Sequence, residues 1–289
     1  MGDFGTRRGE TVSPSTGGTL RRSATGTAGR PRGTDIGPFP SSRLLVIAAE
    51  RAGRRMAAMH SLVALDVTTA RQLLAVSGRP LSFTAFVVAS VARAAAGHPH
   101  AHAYRNWRGR LVRHQHVDVV TLVEVETAQG LFALPHVLRD ADVRDVQDLT
   151  AELRSVKADH AITDTGRLLD RFGPTLTRIP GLMPAMYAVL ARSVRLRQRT
   201  GTVAVSAVGM YGAGGGFGIA PPTLMSLQIV VGGVTEQPRV LDGRTVVREV
   251  LDLTVTFDHN VIDGAPAARF VADLRHIVED AEVLRTSCE

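Results

Sequence analysis

At 289 residues, 44% of them hydrophobic, the chain has room for one large domain and a tail or for two small domains, and with 4% aromatics its core must be filled by Val, Leu and Ala. No apolar run approaches the ~20 residues that span a bilayer and the N-terminus carries no apolar signal segment, so a soluble cytoplasmic protein is expected. The net charge of +7 is carried by arginine, since Lys157 is the only lysine; this disfavours Schiff-base and pyridoxal phosphate chemistry and a carrier domain with its own lipoyl or biotinyl lysine, while scattered arginines and a single tryptophan, Trp107, argue against nucleic acid as the partner.

Residues 1–37 are rich in Gly, Ser, Thr, Arg and Pro, a composition that cannot bury enough apolar surface to offset the entropy of ordering. They read as a disordered basic arm, either solvated or docked on an acidic partner. The folded part is expected over 38–289. Helical spacing over 43–59 leads into the alternating strand SLVALDV, then into TTARQLLAV, where a capping Thr precedes an apolar helical face. LSFTAFVVASVARAAAGHP reads as a buried helix ended by Gly97 and Pro99. His98, His100, His102, His114 and His116 crowd the next segment. Alternating histidines on a strand suit a zinc or nickel site; the competing reading is a strand pair with no metal duty. VDVVTLVEVE and GLFALPHVL follow as strands with Gln129-Gly130 as their turn, and DVRDVQDLTAELRSVKAD as an acid-capped helix.

Prolines 174, 180 and 184 break the stretch 160–200, after which Met186, Val189 and Leu190 share a helical face and Arg192, Arg195, Arg197 and Arg199 follow. Such a face with a basic end can grip a partner or a membrane surface. Packing over the core, or lining a substrate entrance, is the preferred alternative, and membrane association is not expected. GTVAVSAVGMYGAGGGFGIAPPTLMSLQIVVGGV then supplies two strands joined by a glycine-rich loop, which lacks both the Gly-Lys-Ser/Thr ending of a phosphate loop and the dinucleotide spacing.

The stretch 253–270, LTVTFDHNVIDGAPAARF, begins as a strand and ends in a helical run. The polar turn between them places His259 and Asp263 four residues apart, before Gly264. Imidazole is well suited to take a proton from a hydroxyl or thiol near neutral pH, and a neighbouring carboxylate can hold it in place. From spacing alone, a surface His and a helix-capping Asp explain the pattern equally well.

FDHNVIDGAPAARF resembles the active-site signature of the 2-oxoacid dehydrogenase acyltransferases, the dihydrolipoamide acyltransferase cores, and more distantly that of chloramphenicol acetyltransferase. The resemblance extends over 38–285 apart from an inserted segment at about 160–200. AVSAVGM matches the family's Thr-Ile-Ser-Asn-Leu-Gly-Met, and the histidine-rich segment follows the family's course through a strand pair. Two departures stand out: Asn260 replaces the Arg that usually follows the motif His, and Ala220-Pro221-Pro222 replaces Asn-Pro-Pro. No lipoyl or subunit-binding domain is recognisable.

The resemblance implies an α/β fold, a chloramphenicol acetyltransferase-like mixed β-sheet with helices packed on one face. It implies a homotrimer whose active sites lie between subunits, the base of one facing the hydroxyl donor of its neighbour. His259 takes the role of general base, Ser206 that of the donor to the tetrahedral oxyanion, and Asp263 that of fixing the turn. A Ser206 bonded within its own strand is the plainer alternative. Acyl transfer between coenzyme A and a thiol follows as the expected activity, with dihydrolipoamide supplied by a lipoyl carrier protein, or another small acceptor, and no metal. A non-catalytic trimeric scaffold and a biosynthetic acyltransferase or condensing enzyme acting on an amine or alcohol are the other classes.

Overall fold

In the computed structural model, residues 35–37, 39, 42–127, 130–159, 163, 181–209 and 214–285 are described. Nearly all of the expected basic arm, Cys288, Gln129 and most of 160–180 lie outside these residues. The contact pattern separates Met1–Phe39 from Pro40–Glu289, and the elements below all belong to the second unit.

In chain order the elements are α1 Ser42–Gly53, β1 Ala58–Asp66, α2 Thr68–Val76, α3 Phe83–Gly97, β2 Tyr104–Arg105, β3 Leu111–Val112, β4 Val119–Thr127, β5 Gly130–Leu138 and α4 Val146–Ala158, followed by α5 Leu182–Arg192, α6 Val194–Arg199, β6 Val203–Ala207, β7 Leu227–Leu241, β8 Arg244–Asp258, α7 Gly264–Glu279 and α8 Glu282–Arg285. Six strands form one mixed sheet in the order β1-β8-β7-β6-β4-β5, and β2-β3 is a separate small hairpin. β6 runs parallel to both β4 and β7, and the other pairs are antiparallel.

Strand alternation sends one set of side chains to the core. Leu251, Leu253, Val255 and Phe257 of β8, Leu227 and Ile229 of β7, and Val203 and Val205 of β6 pack in one cluster with the buried α3 and with Phe270 and Leu274 of α7. α3 is apolar nearly all round, which is why it lies inside rather than on the surface. It starts where Ser82 accepts the Ala85 N–H, and α4 starts where Asp145 accepts the Asp148 N–H. Thr68, expected as the cap of α2, bonds elsewhere: its hydroxyl accepts the Glu249 N–H and its own N–H is taken by the Asp66 carboxylate. The helix expected over 43–59 stops at Gly53, because Ala58, Met59 and His60 are already paired with β8.

The expected mixed sheet with helices on one face is what the chain forms. Its other face is largely open. Ser206 lies there, in line across the strands with Val230, Thr254 and Leu62, and the large side chains Leu62 and Leu122 are 51% and 48% exposed. No helix among the described residues is long and apolar enough to cross a membrane.

The glycine-rich loop is explained by packing. The β7-β8 ladder slips between Val231 and Val234, where Gly232 and Gly233 form a bulge. A Cβ on Gly209 would collide with the Gly232 carbonyl, one on Gly233 with the Gly214 carbonyl, and one on Gly215 would lie 2.8 Å from the Asp252 carboxylate. That carboxylate accepts the Gly216 N–H at 2.7 Å. The glycines let two backbones touch.

Candidate active site

β8 ends by handing its last residues to a hydrogen-bonded turn. The Asp258 N–H donates to the Ser226 carbonyl at 2.9 Å, and the His259 N–H to the Ala57 carbonyl at 2.8 Å. Asp258 Oδ1 accepts the Ala57 N–H at 3.2 Å, the Asn260 N–H at 3.1 Å and Asn260 Nδ2 at 2.8 Å. Asn260 Nδ2 also reaches the Arg55 carbonyl at 3.1 Å. The backbone of His259 is thereby tied to the segment between α1 and β1, and its imidazole is left exposed.

Asp263 occupies the N-cap position of α7 with extended φ and ψ of −86° and 169°, but its side chain makes no capping hydrogen bond. The bonds that fix the turn run through Asp258 and Asn260. Neither was singled out from sequence as holding the loop, because their partners lie some two hundred positions away.

Ser206 is half-buried on β6. Its register line meets β8 at Thr254, five residues before His259. At about 3.3 Å per residue and about 4.8 Å per strand, the two side chains sit roughly 19 Å apart within one chain. A single chain does not bring the base and the hydroxyl together.

Beside the His259 turn is a cavity of about 680 Å³ lined from α1, the β2-β3 hairpin, α5, α6, Thr223-Leu224, Asp258 and Asn260. The segment read as an insertion thus contributes to a concave site, and α5 packs on α1. Ser193 ends α5 and caps α6 by accepting the Leu196 N–H. This break turns Arg197 inward, where its guanidinium lies 3.6 Å from the centre of the Tyr104 ring and donates to the Leu224 carbonyl. Burial lowers the Arg197 pKa, with Tyr104 and Asp258 opposing the shift, and burial raises that of Tyr104. Sequence marked Arg197 only as part of a basic end.

The histidine-rich segment does not gather as a ligand set. His98 pairs with Asp273 at 2.6 Å and His116 stands 3.9 Å from Asp140. His102 stacks on His114 at 6.1 Å, which stacks on Tyr104 at 5.7 Å. Among the described residues no three His, Cys, Asp or Glu side chains are grouped to hold a metal ion.

Residues 187–285 match the model of the 2-oxoacid dehydrogenases acyltransferase (catalytic domain) family. The span includes Ser206, the glycine-rich loop and the whole His259 turn. The chain is 35% identical over 92 residues to the dihydrolipoyllysine-residue acetyltransferase component of the pyruvate dehydrogenase complex of Zymomonas mobilis, a stretch covering 31% of this chain and 21% of that protein. With the corresponding component of Rickettsia prowazekii it is 24% identical over 204 residues, 69% of this chain and 41% of that one. It therefore spans less than half the length of these relatives. Among solved structures, Azotobacter vinelandii dihydrolipoamide acetyltransferase superposes with a TM-score of 0.64 at 21% identity, over 88% of this chain and 95% of that chain. A probable dihydrolipoamide acetyltransferase from Listeria monocytogenes gives 0.61 at 18% identity, over 86% and 96%. The fold is that of the dihydrolipoamide acetyltransferases, and over 187–285 the chain carries the catalytic-domain sequence of the 2-oxoacid dehydrogenase acyltransferases.

Proposed function

We propose that the protein is an acyltransferase that moves an acyl group between coenzyme A and a thiol, such as the dihydrolipoyl group of a carrier protein, or another small acceptor. The observation that carries the reading is the His259 turn. Within the span matching the family's catalytic domain, an imidazole is held by its backbone and left exposed beside a cavity of ligand size.

In the reaction, neutral His259 takes the proton of the acceptor thiol. The thiolate attacks the thioester carbonyl, and the charge that develops on its oxygen is stabilised by the Ser206 hydroxyl of a neighbouring subunit. Collapse expels the second thiolate, which recovers the proton from the imidazolium. Asp263, at the start of α7, keeps the turn in register with the helix. The roughly 19 Å between Ser206 and His259 in one chain supports a site shared between subunits, and a homotrimer provides three such sites.

The test is thiol release from a panel of acyl-CoAs offered dihydrolipoamide, small amines and alcohols. The parent protein turns over at least one pair, and His259→Ala loses at least about a thousandfold with folding intact. A His259→Ala protein that transfers acyl groups at the parent rate removes the base assignment.

A further inference from the structure

The cavity beside the His259 turn carries more positive charge than its own protein groups neutralise. Arg51, Arg55, Arg105, Arg192 and Arg197 line it, and Asp258 is the carboxylate among the lining residues. None of the five arginines is ion-paired with a described carboxylate, and Asp258 Oδ1 is already taken by Ala57 and Asn260. Positive charge gathered in a concavity focuses its field on whatever enters.

A second, independent observation lies in Tyr104. The residue lines the cavity and is 3% exposed, yet its hydroxyl is buried with no hydrogen-bond partner. Buried polar groups are normally satisfied, and leaving one unpaired costs about 1–3 kcal/mol, so a partner from outside the protein fits the vacancy in its bonding. Arg197 lies flat on the same ring with part of its guanidinium committed to Leu224. At the rim, Trp107 is 63% exposed at the hairpin and already carries the Arg108 guanidinium 4.7 Å from its ring centre, while Tyr187 lines the wall. Exposed aromatic surface of this kind stacks on flat ligand rings.

We propose that this cavity binds a phosphorylated nucleotide, its phosphate oxygens on the arginines and the Tyr104 hydroxyl and its base against the Trp107 rim. Guanidinium groups match phosphate oxygens in pairs, and one or two would suffice for a single carboxylate. A volume of about 680 Å³ is of nucleotide size. The site is built within one chain, so it does not need Ser206 of a neighbour. On the acyl-transfer reading, on which only this choice of source rests, the nucleotide is the adenosine bisphosphate half of coenzyme A; a free adenine nucleotide is the other source of the same chemistry.

Trp107 is the only tryptophan, so its fluorescence reports on this rim alone. The full chain is titrated with adenosine bisphosphate, with ATP and with unphosphorylated adenosine, and each affinity is repeated by calorimetry. Adenosine bisphosphate saturates the fluorescence change, and adenosine binds at least about tenfold more weakly. Arg51→Gln combined with Arg192→Gln, both exposed, weakens binding by about tenfold or more, and Arg197→Gln does the same. His259→Ala binds like the parent, which separates this site from the turnover assignment. Coenzyme A competing with adenosine bisphosphate and outbinding ATP identifies the acyl donor, and equal binding of ATP identifies a free nucleotide; either upholds the site. No saturable binding of any phosphorylated probe, or affinity unchanged in both arginine variants, overturns it.

Discussion

At the scale of single residues, the reach of His259 depends on two neighbours whose bonds are all to distant backbone. Asp258→Ala removes the acceptor of three hydrogen bonds and frees Ala57 and Asn260 together. Its turnover is expected to fall about tenfold to a hundredfold with little change in KM, because a misplaced base costs more in the transition state than in the bound complex; an unchanged kcat would show that the turn holds itself. A second residue sets acid sensitivity. His102 is 2% exposed, and its pKa is pushed from 6.5 down to about 4, first by burial and then by the facing His114, with Asp142 and the Ala95 backbone opposing. The folded pKa lies below the unfolded one, so the unfolded chain binds the proton more readily between those values. Stability present above the unfolded pKa is therefore lost as pH falls from about 6.5 toward about 4. Denaturant unfolding at about pH 5 should show a loss of about 2 kcal/mol relative to pH 7 from this residue. His102→Phe should remove that share of the slope, and a variant with the parent's slope would assign it elsewhere.

Elements were legible in proportion to how local their causes are. The strand before His259, the helix after it, the buried α3 and the Asp145 cap all follow from periodicity and end signals in their own segments, and each forms as read. The end of α1 did not, because Gly53 is fitted against the Pro222 backbone and the next residues are claimed by β8. The glycine-rich loop is the sharper case. Read along the chain it suggests a phosphate cradle, yet its close contacts are with the β7-β8 bulge and the Asp252 carboxylate. The arginines of the cavity were equally hidden, since they come from α1, the hairpin, α5 and α6, and only tertiary packing assembles them. The loop yields a prediction at its own scale. Gly209→Ala forces a methyl group onto the Gly232 carbonyl, with backbone rather than a flexible side chain on the other side. Overpacking of this kind costs about 3 kcal/mol. A loss under about 1 kcal/mol in chemical denaturation would mean that the bulge yields.

For the whole molecule, the decisive quantity is the separation of Ser206 and His259. Both ends of the proposed chemistry are present in every chain, roughly 19 Å apart, and sheet register is too rigid to close that gap. The open sheet face around Ser206, with Leu62 and Leu122 exposed, is the kind of apolar surface that another copy can cover. Closure of a ring of identical chains through one repeated contact would set each His259 against the Ser206 of the next chain. This makes complementation a stringent test. Ser206→Ala alone is expected to lose about a hundredfold to a thousandfold and His259→Ala more. Mixed after reversible dissociation, the two variants form rings in which a site is whole only when its base comes from a Ser206→Ala chain and its hydroxyl from a His259→Ala chain. For equal, random mixing that condition holds at about one site in four, so about a quarter of the parent rate should return. If base and hydroxyl worked within one chain, every chain in the mixture would still be broken and no rate would return above the Ser206→Ala background.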